Sequence, residues 1–263
     1  MVLENHSYDQ VIGSPSMPYF NSLATQHALA TNYFANAHNS IPNYFMLTTG
    51  KTETFDDAFS GTISDDNIIR SLTKAGKTWK AYIEGLPSTG YTGPDTGMYL
   101  KHHNPFAFFS DITGSSTQAA NMVSFSQLPA DLAAGPLANF VFILPNAEND
   151  AHDCPTPLPI CDDTQILTKV DTWLKTNIDP LIKSPNFGNS LLVITWDESL
   201  NTDLANGGGH IATVLVGPHV KPGFRSPTLF QHQSLLRLML DTLRVSDLPG
   251  ASANATSMGG FLQ

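Results

Sequence analysis

The sequence has few positively charged side chains. It holds 13 Lys and Arg against 23 Asp and Glu in 263 residues, which gives a formal net charge of −10. A broad nucleic-acid interface needs clustered positive charge to displace the counterions of the phosphate backbone. The composition therefore argues against a nucleic acid as a partner. An acidic surplus suits a site that holds a cation, although a solvated acidic surface is its commoner cause.

The chain also lacks a long apolar run. No stretch approaches the roughly 20 residues that cross a bilayer, and no signal peptide precedes the first polar motif. The opening residues 1–3 are shorter than the strand of about five residues that is usual in a sheet. This favours a truncated end from which a leader has been removed. We therefore expect a secreted or periplasmic protein whose signal peptide is absent from this chain.

Cysteine is scarce, and the only two, Cys154 and Cys161, flank the segment PTPLPI. Two thiols at this spacing can close a short disulfide loop, whereas a metal knuckle usually brings further Cys or His ligands. The sequence therefore predicts a disulfide between them.

What the chain does contain is an alternation of strands and helices. Near-continuous apolar runs predict buried parallel strands, and helical spacing of apolar residues predicts crossover helices. The predicted strands are 77–84, 139–146, 190–199 and 210–218, and the predicted helices are 67–76, 162–184 and 230–243. We expect one α/β domain over residues 1–263, with a mostly parallel central sheet flanked by helices.

Polar residues follow three of the predicted strands. Ligands of open parallel sheets gather beyond the carboxyl ends of the strands, and here those positions hold Glu4 and Asn5, the segment 146–153, and Asp197 with Glu198. Adjacent carboxylates repel one another unless a cation or a proton lies between them. The pair in TWDES is therefore a candidate metal site, and an exposed acidic turn is the alternative.

The segment HNSIPNYFMLTTG places Ser40 where the N-cap of a helix is expected, with Pro42 close behind. A helix that starts there directs free N–H groups and its positive dipole end at whatever the hydroxyl attacks, and a phosphate is stabilised in that position. A serine that only caps the helix is the alternative.

Seven segments resemble, in order, those of the phosphoesterase family, which includes bacterial acid phosphatases, phosphatidylinositol-3-phosphatase-type enzymes and non-specific phospholipases C. They are ENHSYDQVIG, AHNSIPNYFMLTTG, KTWKAYIEGLP, KHHNPFAFF, PNAENDAHDC, TWDES and GGGHIATVLVGPHVKPG. The family is similar in fold to the alkaline phosphatase superfamily, which implies a three-layer sandwich. SIPNY also resembles the Thr-Phe-Pro-Asn segment of nucleotide pyrophosphatases, whose threonine is the nucleophile.

The resemblance implies a metal site and a nucleophile. The implied ligands of one divalent cation are Glu4, Asn5, Ser40, Asp197 and Glu198. Because all of these donors are oxygens, Ca²⁺, Mg²⁺ or Mn²⁺ is expected in preference to zinc. Ser40 is expected to attack phosphorus and to form a phosphoserine, which water then hydrolyses.

Histidines are expected to supply the proton for the leaving alkoxide. His103 and His152 match histidines of the family's site, and Asp153 is the expected orienting partner. The expected substrate contacts are His38, Asn67, Lys80 and His210, although His38 has an alternative role in fixing its loop. His102 is the more doubtful of its pair, and His27, His219 and His232 are expected to be structural.

These expectations favour a metal-dependent phosphomonoesterase. The alternative is a phospholipase C that cleaves a phosphodiester on phospholipid head groups, with transient contact to phospholipid. A third hypothesis, a catalytically weak binding protein, predicts a broken metal set, whereas all five ligand positions are filled. The choice of substrate is expected to depend on the loops 86–97 and 200–209.

Overall fold

The computed structural model describes residues 1–263 and contains two β-sheets. The strands are β1 (Val2–Leu3), β2 (Ala28–Ala30), β3 (Trp79–Ile83), β4 (Met122–Ser124), β5 (Phe140–Leu144), β6 (Leu192–Trp196), β7 (Thr213–Val216) and β8 (Arg225–Ser226). One sheet has five strands in the order β1-β6-β7-β2-β8, and the other has three in the order β4-β3-β5. The single central sheet that the sequence predicts is thus divided in two.

Helices connect these strands. They are α1 (Tyr8–Val11), α2 (Pro18–Gln26), α3 (Ser40–Thr49), α4 (Ile68–Lys74), α5 (Ser110–Thr113), α6 (Ser116–Ala119), α7 (Leu128–Ala134), α8 (Asp163–Asn177), α9 (Asp179–Lys183) and α10 (His232–Thr242). The helix α2 packs on α8, and α3 packs on α10 and α4. The chain is therefore an α/β protein with helices against mixed and parallel sheets.

The direction of β7 corrects the prediction of parallel strands. β3 pairs in parallel with β4 and β5, and β1 with β6, but β7 is antiparallel to both β6 and β2. A parallel neighbour needs a crossover connection, usually a helix. The connection from β6 to β7 contains no helix, so the chain returns in the opposite direction. An apolar run indicates that a strand is buried on both faces, but it does not distinguish a parallel strand from an antiparallel one.

The predicted helix 162–184 is two helices. α8 begins with a capping box, in which Asp162 accepts from the backbone of Gln165 and the Gln165 side chain accepts from the Asp162 N–H. It ends before Ile178, and α9 begins at Asp179 with a proline in its first turn. Proline lacks the N–H that would continue the hydrogen-bond ladder, so the helix is interrupted there.

A cluster of 64 buried residues spans both sheets and the helices between them. The two sheets meet where the chain leaves β1, because the Glu4 N–H donates to the Asp150 carbonyl at 2.7 Å. This places the carboxyl ends of β1, β5 and β6 side by side, as the sequence predicts for its three groups of polar residues.

The predicted disulfide between Cys154 and Cys161 is present. It closes the loop that follows the end of β5. None of the helices has both the length and the apolar character needed to cross a bilayer.

Candidate active site

The adjacent ends of β1 and β6 bring the first carboxylates together. Leu3 pairs with Trp196, and the Asp197 N–H donates to the Leu3 carbonyl, so Glu4 and Asp197 leave their strands as neighbours. Both are fully buried. The Asn5 N–H lies 3.4 Å from Asp197 Oδ1, and the backbone of Asn5 is left-handed, with φ of 43°.

The helix α3 presents two hydroxyl groups to Glu4. Ser40 Oγ donates to Glu4 Oε2 at 3.0 Å, and Tyr44 Oη, one turn later on the same face, donates to Glu4 Oε1 at 2.5 Å. Residues four apart in a helix are neighbours on its surface. The serine predicted as nucleophile therefore lies directly on the predicted metal ligand.

The prediction of Ser40 as N-cap is wrong by one residue. The N-cap is Asn39, whose φ of 77° is of a kind that asparagine tolerates better than most residues, and Ser40 is the first residue of α3. The Ile41 N–H donates to Asp57 Oδ1 at 3.0 Å. That N–H is therefore already paired, and the Ser40 hydroxyl is free to face Glu4 instead of capping the helix.

The site is strongly acidic, and its four carboxyl groups are buried. Burial, followed by the charges of Asp197 and Asp150, raises the pKa of Glu4 well above its usual value. Burial also raises the pKa of Asp197 to about 6, of Asp150 to about 8 and of Glu198 to about 9. Four buried carboxyl groups can all be ionised only if positive charge is added between them.

The donors at this point fit a hard divalent cation. Asp197 Oδ2 is buried without a hydrogen-bond partner. One end of the Asn5 amide lies 3.2 Å from Glu4 Oε2 and 3.1 Å from Asp197 Oδ1. If that end is nitrogen it donates to both carboxylates, and if it is oxygen three oxygens converge, which is the environment that Ca²⁺, Mg²⁺ or Mn²⁺ prefers.

His103 also lies close to the Glu4 carboxylate. Its Nδ1 lies 3.4 Å from Glu4 Oε1 and 3.2 Å from Asp150 Oδ2, and ligand atoms of these three residues lie within 4.8 Å of one another. His103 is 1% exposed, its Nε2 has no partner, and burial lowers its pKa to about 3. Asp150 was missing from the residues that the sequence singled out, although it lies in the predicted segment 146–153.

His152 and Asp153 lie at the more exposed side of this group. His152 Nδ1 is 2.8 Å from Asp153 Oδ1, which is the predicted pairing, and its ring centroid is 5.6 Å from that of His103. The backbone N–H of His152 also donates to Asp150 Oδ1 at 2.9 Å. The doubtful neighbour His102 contacts the His103 ring edge-on, and burial lowers its pKa to about 4.

His38 has the loop-fixing contacts that the sequence left as its alternative role. Its Nδ1 lies 2.6 Å from Glu198 Oε2 and its Nε2 lies 2.8 Å from the Asp203 carbonyl. Both ring nitrogens are therefore occupied. The imidazole ties the predicted metal ligand Glu198 to the loop 200–209 instead of facing a substrate.

Two further predicted substrate contacts, Asn67 and Lys80, have structural partners. Asn67 is the N-cap of α4, where it accepts from the Arg70 N–H and donates to Asp111. Lys80 donates to Asp131 at 2.7 Å. These contacts satisfy both polar side chains, so the prediction that Asn67 and Lys80 bind phosphate is not supported.

The ring of His210 is stacked between two aromatic rings. Its centroid lies 4.2 Å from that of Tyr8 and 4.9 Å from that of Phe34. Its Nε2 faces the Thr31 carbonyl at 3.1 Å. His210 is thus held as part of the packing, and the structure gives no support for a role in substrate binding.

Two residues that support the site were not predicted from the sequence as part of it. Tyr44 could have been found from its spacing of four residues from Ser40 on one helix. His232, expected to be structural, lies 2.6 Å by its Nε2 from the Asp197 carbonyl and packs on Tyr33. Its neutral form is favoured, because burial lowers its pKa to about 4, and no local pattern links it to Asp197.

Two proteins that are similar in sequence to this chain are named as phosphatases. A phosphatidylinositol-3-phosphatase of Mycobacterium tuberculosis is 32% identical over 242 residues, which are 90% of this chain and 74% of that protein. An acid phosphatase of Aspergillus fumigatus is 30% identical over 247 residues, which are 89% of this chain and 52% of that protein. The chain therefore spans about half the length of this fungal relative.

Solved structures support the fold at low sequence identity. A protein of the alkaline phosphatase superfamily from Vibrio parahaemolyticus superposes with a TM-score of 0.64 and 14% identity, over 93% of this chain and 65% of that one. The sulfatase PsFucS1 from Pseudoalteromonas sp. gives 0.66 and 12%, over 100% and 71%. The pattern of the Phosphoesterase family matches residues 14–246. The resemblance seen in the sequence motifs is thus confirmed, and the chain belongs to the phosphoesterase family.

Proposed function

We propose that this protein is a metal-dependent phosphomonoesterase that hydrolyses phosphate monoesters through a phosphoserine on Ser40. The observation that carries the proposal is the placement of a buried hydroxyl, 3.0 Å from Glu4 Oε2, among carboxylates from the ends of three strands. Membership of a family of phosphoric ester hydrolases supports the reaction class. The acid phosphatase and phosphatidylinositol-3-phosphatase relatives are consistent with monoesters.

The residues that would hold one divalent cation are Glu4, Asn5, Asp197 and Glu198, with Ser40 Oγ as a further oxygen. When bound, such a cation lowers the pKa of a hydroxyl and neutralises phosphoryl charge. The Asn5 N–H donates to one oxygen of Asp197, and Tyr44 Oη donates to one oxygen of Glu4, so each carboxylate is oriented by the protein. His38 does the same for Glu198, since contacts of this kind orient ligands and fix their protonation.

The chain's own residues supply the remaining steps. Ser40 Oγ gives up its proton, attacks phosphorus and displaces the alkoxide, and water then attacks the phosphoserine to release phosphate. Glu4 Oε2, which already accepts the hydroxyl proton, is the nearest base for the first step. Two displacements in sequence give retention of configuration at phosphorus.

The two histidines have different tasks in this proposal. His103 is buried and its low pKa favours the neutral ring, whose Nδ1 faces Asp150 and Glu4, so it is suited to hold these two carboxyl groups in place rather than to release a proton. His152 is more exposed and is held by Asp153 at 2.8 Å, which suits a group that exchanges protons with solvent. We therefore assign the proton of the leaving alkoxide to His152.

Secretion or a periplasmic location stays part of the proposal. The disulfide between Cys154 and Cys161 supports it, because disulfides persist mainly in oxidising compartments.

The test compares p-nitrophenyl phosphate with p-nitrophenyl phosphorylcholine as substrates. Each is assayed with the wild type, with Ser40→Ala and with Ser71→Ala, before and after chelation and with Ca²⁺, Mg²⁺ or Mn²⁺ added back. Ser71 is the matched control, because it is a serine of α4 that is as buried as Ser40. Acid quenching during turnover, followed by mass spectrometry of the Ser40 peptide, detects the phosphoserine.

We expect monoester turnover that needs both Ser40 and the cation and that survives Ser71→Ala. Faster cleavage of the diester would instead support the phospholipase C alternative. Full activity of Ser40→Ala would rule out the nucleophile, and full activity after exhaustive chelation would rule out the metal dependence.

A further inference from the structure

Glu84 lies outside the proposed catalytic group, and its carboxylate holds the turn after β5. It follows β3 directly, and its backbone N–H continues the ladder to the Leu144 carbonyl at 2.9 Å. Its Oε2 accepts from the Asn146 N–H at 3.1 Å and from Asn149 Nδ2 at 2.9 Å. A single oxygen therefore fixes both ends of the turn 146–149.

The same turn sets the position of Asp150. The Asp150 N–H donates to the Asn146 carbonyl at 2.8 Å, which ties Asp150 to the start of the turn that Glu84 holds. Asp150 then reaches the proposed catalytic group twice. Its carbonyl accepts from the Glu4 N–H at 2.7 Å, and its Oδ2 lies 3.2 Å from His103 Nδ1.

We propose that Glu84 is a positioning residue, which acts through the turn 146–149 and Asp150 to hold both Glu4 and His103 in place. This inference rests on the proposed function, because it assigns catalytic meaning to Glu4 and His103. Partners behind metal ligands typically change metal affinity or activity about 10- to 100-fold when they are removed. The hydrogen-bond partners of Glu84 are Asn146, Asn149 and Trp173, and none of them is a proposed metal ligand, so its effect on position passes through the turn.

The two carboxylate oxygens of Glu84 have different partners, so the contacts with the turn can be tested separately from the contact with Trp173. Oε1 accepts only from Trp173 Nε1 of α8, at 3.3 Å. A glutamine can place its carbonyl oxygen where Oε2 lies and keep both turn contacts, while its amide meets Trp173 as donor against donor. The carboxylate also borders a cavity of about 370 Å³ lined by residues such as Phe125 and Trp173. Water can therefore fill the space that Glu84→Ala leaves.

The experiment compares Glu84→Ala, Glu84→Gln, Trp173→Phe and Asp131→Asn with the wild type. Asp131 is the matched control, since it also accepts two side-chain hydrogen bonds beside β3, from Lys80 and Tyr82. For each variant we measure kcat/KM on p-nitrophenyl phosphate and thermal unfolding. Calorimetric titration of Ca²⁺, Mg²⁺ and Mn²⁺ into the chelated protein measures cation affinity without turnover.

We expect Glu84→Ala to lose about 10- to 100-fold in kcat/KM and in cation affinity. Glu84→Gln, Trp173→Phe and Asp131→Asn should stay close to the wild type in both measurements, whatever their effect on unfolding. The proposal is overturned if Glu84→Ala keeps wild-type cation affinity and turnover, if Glu84→Gln falls as far as Glu84→Ala, or if Trp173→Phe does. Failure of the proposed function is separate, because it appears as turnover that does not need Ser40.

Discussion

Gly208 is the residue at which the loop 200–209 touches the segment that leads to the nucleophile. A Cβ at this position would lie 2.2 Å from the Ala37 carbonyl oxygen and 2.7 Å from Ala35 Cβ. Non-bonded heavy atoms are most stable at about 3.5–4.0 Å. Gly208→Ala therefore requires the backbone of one segment or the other to move by about 1 Å.

That movement would be transmitted directly to α3. Asn43 of this helix donates to the Ala37 carbonyl at 2.8 Å and accepts from the N–H groups of Asn36 and Ala37. The Gly208 carbonyl in turn accepts from the Ser199 N–H at 2.9 Å, two residues beyond Asp197. Gly208→Ala thus separates the two chain segments that carry Ser40 and the Asp197–Glu198 pair.

The expected loss is large for so small a change. Overpacking of this kind costs about 1–3 kcal/mol of stability, and a displacement of about 1 Å in a reacting group can lower the rate about 100-fold. The assay is kcat/KM on p-nitrophenyl phosphate together with thermal unfolding. Gly260→Ala is the control, because a Cβ there meets no atom within 4 Å. If Gly208→Ala is as active as Gly260→Ala, the loop does not position the nucleophile.

Two further predictions concern charge. The chelated protein should lose stability as pH rises from about 4 towards 9. Burial raises the pKa of Asp197 to about 6, of Asp150 to about 8 and of Glu198 to about 9. The folded state therefore holds these protons more tightly than the unfolded chain does, and releasing them as pH rises lowers the free energy of unfolding. Thermal unfolding at several pH values checks this trend, and a profile that is equally steep with the divalent cation present would contradict it. Substrates whose leaving group carries extra negative charge should be poorer, because three further carboxylates near the site would repel them. These are Asp57 beside Ile41, Asp95 beside His102 and Asp153 beside His152. Added salt screens this repulsion, so kcat/KM for p-nitrophenyl phosphate divided by kcat/KM for a nucleoside triphosphate should fall as salt is added. A ratio that does not fall would refute this reasoning.

Several strands and helices, and the polar residues at the ends of strands, could be predicted from the sequence. The apolar run 139–146 contains β5, the run 190–199 contains β6, and helical periodicity located α10. Polar residues directly after buried strands identified Glu4 and Asp197, because the carboxyl ends of neighbouring parallel strands meet at one edge. These signals lie within a few residues of one another along the chain.

The predicted contacts that the structure does not support involve partners distant in sequence. Lys80 and Asn67 resemble phosphate contacts in their motifs, but Asp131 and Asp111 pair with them in the folded chain. Asp150 was passed over in favour of Asp153, because nothing local shows which carboxylate of NDAHDC turns inward to His103.

The sequence by itself determined the family, part of the secondary structure and the chemical types gathered at the site. Ser40 stands at the start of a helix, and oxygen donors follow three strands, because propensity, periodicity and spacing are properties of short segments. Only the tertiary structure decided which donors meet. The antiparallel course of β7, the contact of Asp150 with Glu4 and the pairing of His38 with Glu198 join segments far apart along the chain. Such contacts follow from how the whole core packs, and no local pattern in the sequence encodes them.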